Sequence, residues 1–286
     1  MFVITGITGN VGGELARTLL AEGKPVRAVV RDAAKGEAWA QKGCEIAVAD
    51  VNDAAALAKA FKGAEGVFIL MPPVFDPLPG FTEARAFAAN MKYALETAKP
   101  GKVVYLSTIG ADAAQENLLT QHTIVEQVLT GLALPVRTLR PGWFMENASW
   151  DVGPARERGV VPSFLQPLER PVPMVATADI GLLAAELIQE NWTGSEVVEL
   201  EGPKRITPNE IAASFSQLLG REVKMEVVPR ETWESLFVAQ GVKNPTPRAR
   251  MLDGFNQGWI EFADGGANSR KGKTTLETVL KGLIER

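Results

Sequence analysis

Gly6, Gly9 and Gly12 stand three residues apart in "TGITGNVGGELARTL", between a hydrophobic run and an amphipathic one. Glycine lets a backbone turn sharply and lets a phosphate approach it closely. With the intervening Thr8, Asn10 and Val11, the stretch leaves peptide N–H groups free at a helix start, where the helix dipole favours an anion. The spacing alone describes a tight turn as well as a phosphate cradle. Its position favours the cradle: it follows the first strand, opens the first helix and lies in a βαβ unit of the length that dinucleotide sites use. The expectation is a site for the pyrophosphate of a dinucleotide.

The end of the second strand should select which dinucleotide. An acidic residue there holds a ribose 2′-hydroxyl, and an arginine accommodates a 2′-phosphate. The strand ends "VVRD", which places Arg31 in the deciding region with Lys35 a turn later. The guanidinium fork suits a phosphate, so NADP(H) is the expected cofactor. Asp32 can serve the hydroxyl instead, or pair with Arg31 on the surface. Asp50 and Val51 end the third strand, where adenine is expected; Asp50 also suits a helix cap. Met71, Pro72 and Pro73 close the fourth strand and either terminate it or wall the ribose and pyrophosphate. Ser107 and Thr108, ending the fifth strand, offer hydroxyls toward the nicotinamide, or an ST-turn. His122 has an ordinary pKa near neutrality and can donate a proton to an acceptor, or simply pair with Glu126 on its helix.

These groups need elements to hold them. Short β-branched runs alternate with amphipathic ones: "FVITG", "VRAVVRD", "EIAVADV", "GVFILMPP", "KVVYLSTIG" and "VRTLRPGWF" read as six strands with helices between. Such alternation implies parallel pairing through right-handed crossovers. Near-continuous apolar strands imply a sheet covered on both faces. The fold class is therefore α/β, a doubly wound parallel sheet with its ligand at the carboxyl ends of the strands. Residues 1–150 form the dinucleotide-binding domain of Rossmann type. Residues 151–286 form a smaller α+β lobe on the substrate side, partly intermixed with the sheet. Its first part, "DVGPARERGVVPSFLQPLERPVPMV", reads mostly as loop, and "TPNEIAASFSQLLG" as a helix with a capping box at Thr207 and Glu210.

Composition narrows the chemistry. The chain has 286 residues and a formal net charge of −4, which argues against nucleic acid as the main partner. No apolar run is long enough to cross a bilayer. The start of the chain shows no basic region or cleavage site, so the cytoplasm is the expected compartment. One cysteine, Cys44, and one histidine, His122, exclude an internal disulfide and the usual zinc sites, so no metal is expected. No G-x-S-x-G nucleophile elbow occurs. Cys44 precedes a buried strand and is expected to be inert.

"TGITGNVGG", "VRD", "STIGA" and "HTIVEQVLTGLALPVRTLRPGWFMEN", in that order, resemble the NmrA-like branch of atypical short-chain dehydrogenases/reductases. The resemblance covers nearly the whole chain and is strongest over residues 1–150. It implies NADP(H) at the positions above, with further contacts from Pro141, Gly142, Trp143 and Phe144. The family contains NADPH-dependent quinone reductases and regulators that bind dinucleotide without turnover. Most short-chain dehydrogenases use a tyrosine with a lysine four residues on. Here Tyr93 is followed by Thr97 and Tyr105 by Ile109 at that spacing, and the matching helix carries His122 and Glu126 instead. Reversible alcohol dehydrogenation is therefore disfavoured. Hydride transfer to a quinone asks less of the protein, since water can protonate the product. The expected activity is NADPH-dependent reduction of a quinone or similar activated carbonyl, a planar apolar small molecule. Trp143, Phe144, Met145 and Trp150 can line its pocket, though at least two of them are expected in the core, and Phe255 and Trp259 can cover it. The alternative is a redox sensor that binds NADP(H) and signals through a protein partner.

Overall fold

Strand and helix alternate through the first half: β1 (Phe2–Thr5), α1 (Asn10–Ala21), β2 (Val26–Val30), α2 (Glu37–Ala40), β3 (Glu45–Val48), α3 (Ala54–Phe61), β4 (Gly66–Leu70), α4 (Thr82–Ala98), β5 (Val103–Leu106), α5 (Thr120–Thr130) and β6 (Val136–Pro141). The second half adds β7 (Trp143–Phe144), α6 (Val152–Arg158), β8 (Val160–Ser163), β9 (Met174–Val175), α7 (Thr177–Gln189), β10 (Ser195–Glu201), α8 (Pro208–Leu219), β11 (Lys224–Val227), α9 (Trp233–Ala239), α10 (Thr246–Gln257), β12 (Arg270–Lys271) and α11 (Leu276–Ile284). The structure is a computed structural model that describes residues 1–286.

Eight parallel strands form the central sheet in the order β12-β10-β6-β5-β4-β1-β2-β3. β1 lies between β2 and β4, so the strand order reverses at its carboxyl end and opens a crevice there. Thr5 bridges that point: its hydroxyl donates to Phe68 O at 3.2 Å and accepts from Leu70 N at 2.9 Å.

The pleat divides the core. Val3, Val103 and Tyr105 face a layer with Leu57 and Phe61 of α3, Met91 of α4 and Leu129 of α5. Phe2, Ile4, Val104 and Leu106 face the other layer, with Leu15 and Leu19 of α1 and Ile180 and Ile188 of α7. Each fully buried aliphatic side chain of this kind contributes about 1.5–3 kcal/mol. Both faces are thus covered, as the strand composition predicted. A third apolar cluster, with Phe215, Trp233, Phe237 and Leu252, organises the second half.

Three elements beyond residue 150 complete the first body: α7 covers the sheet beside α1, and β10 and β12 extend it past β6. The stretch expected to be mostly loop contains α6, β8 and β9. Pro154 sits in the first turn of α6, where the missing N–H has no helical partner to lose. Pro162 is exposed on β8, which pairs only with β11, so its ring faces no further strand. The capping box is present: Glu210 N donates to Thr207 Oγ1 at 3.1 Å and Thr207 N to Glu210 Oε2 at 2.7 Å. No helix is long and apolar enough to cross a membrane.

Candidate cofactor and acceptor site

Because every strand of the sheet is parallel, the turns after β3, β2, β1, β4, β5 and β6 emerge side by side along one edge. In that spatial order they bring Asp50, Arg31, the glycine turn, Met71, Ser107 with Thr108, and Pro141 into a row.

The glycine turn fits a bound phosphate by its own geometry. Gly6 has φ +64°, and Gly9 N donates to Gly6 O at 3.0 Å, which folds the turn tightly. A Cβ on Gly12 would lie 2.4 Å from Gly6 O, so only glycine allows the turn to close on the helix. α1 begins at Gly9 with no side chain capping its first turn. Its leading amides therefore have no protein side chain over them, and Thr8, Gly9 and Asn10 are exposed. The helix dipole adds to their pull on an anion.

At the end of β2, the carboxylate of Asp32 accepts from Ala34 N at 3.0 Å and caps a 3-10 turn over Ala33–Gly36. Arg31 and Asp32 do not form the surface pair that was one reading of "VRD". Arg31 is exposed and without a partner in the protein, and Lys35 lies exposed in the following turn. Asp50 Oδ1 accepts from Asn52 N at 2.8 Å, while Asp53 caps α3 through Ala56 N. Val51 is half-buried, its carbonyl bonded by Asn90 Nδ2 at 3.0 Å.

The segment after β4 is held from two sides. Met71 is buried, Pro72 half-buried and Pro73 exposed. Gln121 Nε2 on α5 donates to Val74 O at 3.0 Å. Asp76 accepts from the amides of Lys243 and Asn244 at 2.9 and 2.7 Å, and Asn244 Nδ2 donates to Pro77 O at 2.9 Å. These bonds span the sheet body and the second lobe. The two amides hold the Asp76 carboxyl below its usual pKa.

After β5, Ser107 is buried and its hydroxyl donates to Glu126 Oε1 at 2.5 Å. Thr108 is half-buried and its hydroxyl is free of protein partners. Glu126 also takes two hydrogen bonds from Arg140, at 3.0 and 2.6 Å, and Arg140 reaches Asp112 at 2.6 Å. Glu126 therefore does not pair with His122. His122 Nδ1 lies 2.8 Å from the Tyr105 hydroxyl instead. Burial lowers the His122 pKa to about 4. That direction favours the neutral ring near neutral pH. Burial, and then the Glu126 charge, keep Tyr105 well above the ordinary phenol pKa.

The turn after β6 is held by its own backbone. Gly142 N donates to Leu200 O at 2.8 Å, and a Cβ there would lie 2.5 Å from Pro173 O. Gly142 therefore joins β10 to the strand at Met174, and its amide is not available to a ligand. The Pro141 carbonyl accepts from Ile109 N at 2.8 Å. Phe144 is half-buried against the α1–α7 layer, and Met145 is buried. Trp143 meets Phe255 edge to face, 5.2 Å between ring centres. Trp150 is 82% exposed. Trp259 is half-buried. Cys44 is buried, and burial raises its thiol pKa, which keeps it unreactive.

Tyr105, Gln121 and Arg140 were not assigned from sequence. Tyr105 lacks the lysine that marks a catalytic tyrosine, and Arg140 lies within "LRPGWF" without a local partner to betray it.

Comparisons with known proteins agree with this architecture. Residues 1–257 match the model of the NmrA-like family. The chain is 28% identical over 257 residues to quinone oxidoreductase 2 of Escherichia coli, covering 88% of this chain and 85% of that protein. It is 26% identical over 253 residues to an NAD(P)H azoreductase of Xenophilus azovorans, covering 85% and 82%. The crystal structure of an NADPH-dependent quinone oxidoreductase of Escherichia coli complexed with NADPH superposes with a TM-score of 0.81 at 26% identity, over 99% of this chain and 100% of that one. With a match running from the glycine turn through α10, the chain belongs to the NmrA-like family.

Proposed function

We propose that this protein is an NADPH-dependent reductase that delivers hydride to a quinone or a similar activated carbonyl compound. The observation that carries the reading is the glycine turn at the point where the strand order reverses, closed so tightly at Gly12 that a methyl group would clash, under an uncapped helix start. The names of the relatives, a quinone oxidoreductase and an azoreductase, support reduction by NAD(P)H.

Each residue of the row then has a task. The amides of Thr8, Asn10, Val11 and Gly12 hold the pyrophosphate, while that of Gly9 closes the turn on Gly6 O. Arg31, with Lys35, takes the 2′-phosphate, since Asp32 is occupied by its own turn. Asp50 and Val51 border the adenine, and Met71, Pro72 and Pro73 wall the ribose and pyrophosphate. Ser107 is turned away to Glu126, which leaves Thr108 as the hydroxyl facing the nicotinamide. Pro141 and Phe144 border it from the β6 side. NADPH, when bound, supplies the hydride. Half-buried Trp143, backed by the buried Phe255, offers aromatic surface to a planar acceptor, and the neutral His122 hydrogen-bonds to it rather than protonating it.

Stopped-flow oxidation of NADPH with a panel of simple quinones tests this reading, beside titrations of NADPH and NADP⁺ binding. Quinone-dependent oxidation is the expected result. Tight binding with no oxidation across the panel would remove the enzyme reading in favour of a redox sensor.

A further inference from the structure

Tyr105 is completely buried at the carboxyl end of β5, under the first turn of α5. Its hydroxyl has one partner in the protein, His122 Nδ1 at 2.8 Å. The direction of that bond follows from what each alternative strands. If Nδ1 donated, the phenol proton would lie in the core without an acceptor, a loss of about 1–3 kcal/mol. If Tyr105 donates, both atoms are satisfied and the imidazole carries its proton on Nε2. The nearest carboxylate on the same helix, Glu126, does not compete for the ring, because Arg140 and Ser107 take its oxygens.

His122 Nε2 has no partner in the protein. The buried polar side-chain atoms left unpartnered are Gln121 Oε1, Thr138 Oγ1 and Trp192 Nε1, so Nε2 is not closed off among them. Its helix, α5, begins at the carboxyl edge of the sheet, in a turn that Thr123 ties to Ala111 in the loop after Thr108.

We propose that Tyr105 is a positioning residue that fixes His122 as its Nε2–H tautomer, so that a neutral imidazole presents a single hydrogen-bond donor to the carbonyl oxygen of the acceptor. The inference rests on the function proposed above. As hydride adds to the acceptor, the electron pair moves onto that oxygen as negative charge. His122 Nε2–H stabilises the charge by a hydrogen bond and keeps its proton, and solvent supplies the proton of the product. A preorganised donor aimed at developing charge acts most strongly in a site from which water is excluded. Burial of the ring supports this role, since it holds His122 uncharged at neutral pH.

His122 is the single histidine of the chain. Labelling with [15N]histidine therefore yields one pair of ring-nitrogen NMR signals, which report the tautomer without cofactor or substrate. The unaltered protein should show a protonated Nε2 and a bare, hydrogen-bonded Nδ1 from about pH 5 to 8. Tyr105→Phe, which keeps the ring and removes only the hydroxyl, should convert the signals to a tautomer mixture. An Nδ1–H ring in the unaltered protein, or an unchanged Nε2–H ring in Tyr105→Phe, would overturn the proposal.

Kinetics with a quinone supply the second measurement. His122→Gln places an amide nitrogen near the Nε2 position and should retain kcat within about threefold, whereas His122→Asn and Tyr105→Phe should lose about tenfold with KM for NADPH unchanged. Equal losses in the Gln and Asn variants would remove the donor role. Absence of quinone turnover in the unaltered protein would instead overturn the proposed function, and the spectrum would still read the tautomer.

Discussion

Arg140 grips Glu126 through two hydrogen bonds, Nε to Oε1 at 3.0 Å and Nη2 to Oε2 at 2.6 Å, with both side chains about one-tenth exposed. Glu126 in turn accepts from the buried Ser107 hydroxyl. The pair locks β5, β6 and α5 together. Glu126→Gln breaks a buried charge pair, which costs about 3–5 kcal/mol. Urea unfolding should show a loss of that size at pH 7, and Glu126→Asp should recover part of it. A loss below about 1 kcal/mol, the range of surface pairs, would show that the network carries little stability.

Arg31 stands free at the end of β2 while Asp32 is bound to Ala34 N. Arg31→Ala should weaken NADPH binding by about tenfold or more, a loss of at least one charge-assisted hydrogen bond, and leave NADH binding nearly unchanged. Fluorescence titration of both cofactors measures this. Equal weakening of both would overturn the assignment of the 2′-phosphate to Arg31.

Gly12→Ala puts a methyl group 2.4 Å from Gly6 O. The contact is with backbone, so the turn itself must move. A stability loss of about 1–3 kcal/mol is expected from the overpacking, together with a loss of NADPH affinity of at least tenfold, about 1.4 kcal/mol. Thermal unfolding and calorimetry on the same variant separate the two effects. Full affinity in the variant would show that the turn is not the cradle.

Asp151 precedes α6 and makes no capping bond with its side chain, and burial pushes its pKa to about 7. A carboxyl raised in the folded state binds its proton more tightly there than in the unfolded chain. Its stabilising contribution is complete below the unfolded value of 3.8 and is lost as pH rises toward about 7. Asp151→Asn removes the titration. It should therefore stabilise the protein at pH 8 by about 1–3 kcal/mol and change little at pH 4. Equal effects at both values would show that the carboxyl titrates normally.

The local parts of this protein were legible in its sequence because neighbours along the chain determine them. Gly6, Gly9 and Gly12 announce a turn through backbone freedom alone. Asp53 caps α3 and Thr207 boxes with Glu210 within a few residues of each. The alternation of Phe2, Val3 and Ile4 declares a strand buried on both faces. Parallel pairing followed from the intervening helices, and with it the edge on which the ligand must lie.

What only the tertiary structure decided are the pairings between side chains far apart in sequence. Tyr105 meets His122 17 residues on, and Glu126 meets Arg140 14 residues on, because α5 folds back across β5 and β6. The sequence showed His122 above Glu126 on one helix face, which suggested a pair, but each finds a stronger partner on the sheet. β12 is two residues long and exists through its pairing with β10, which no pattern in so short a stretch can signal. α7 and β10 join the sheet from beyond residue 150, because the apolar faces of α1 and β6 needed cover that the first half of the chain does not supply. Propensity and capping act within a few residues, whereas burial and charge pairing act through space, and the chemistry of His122 is set by the second.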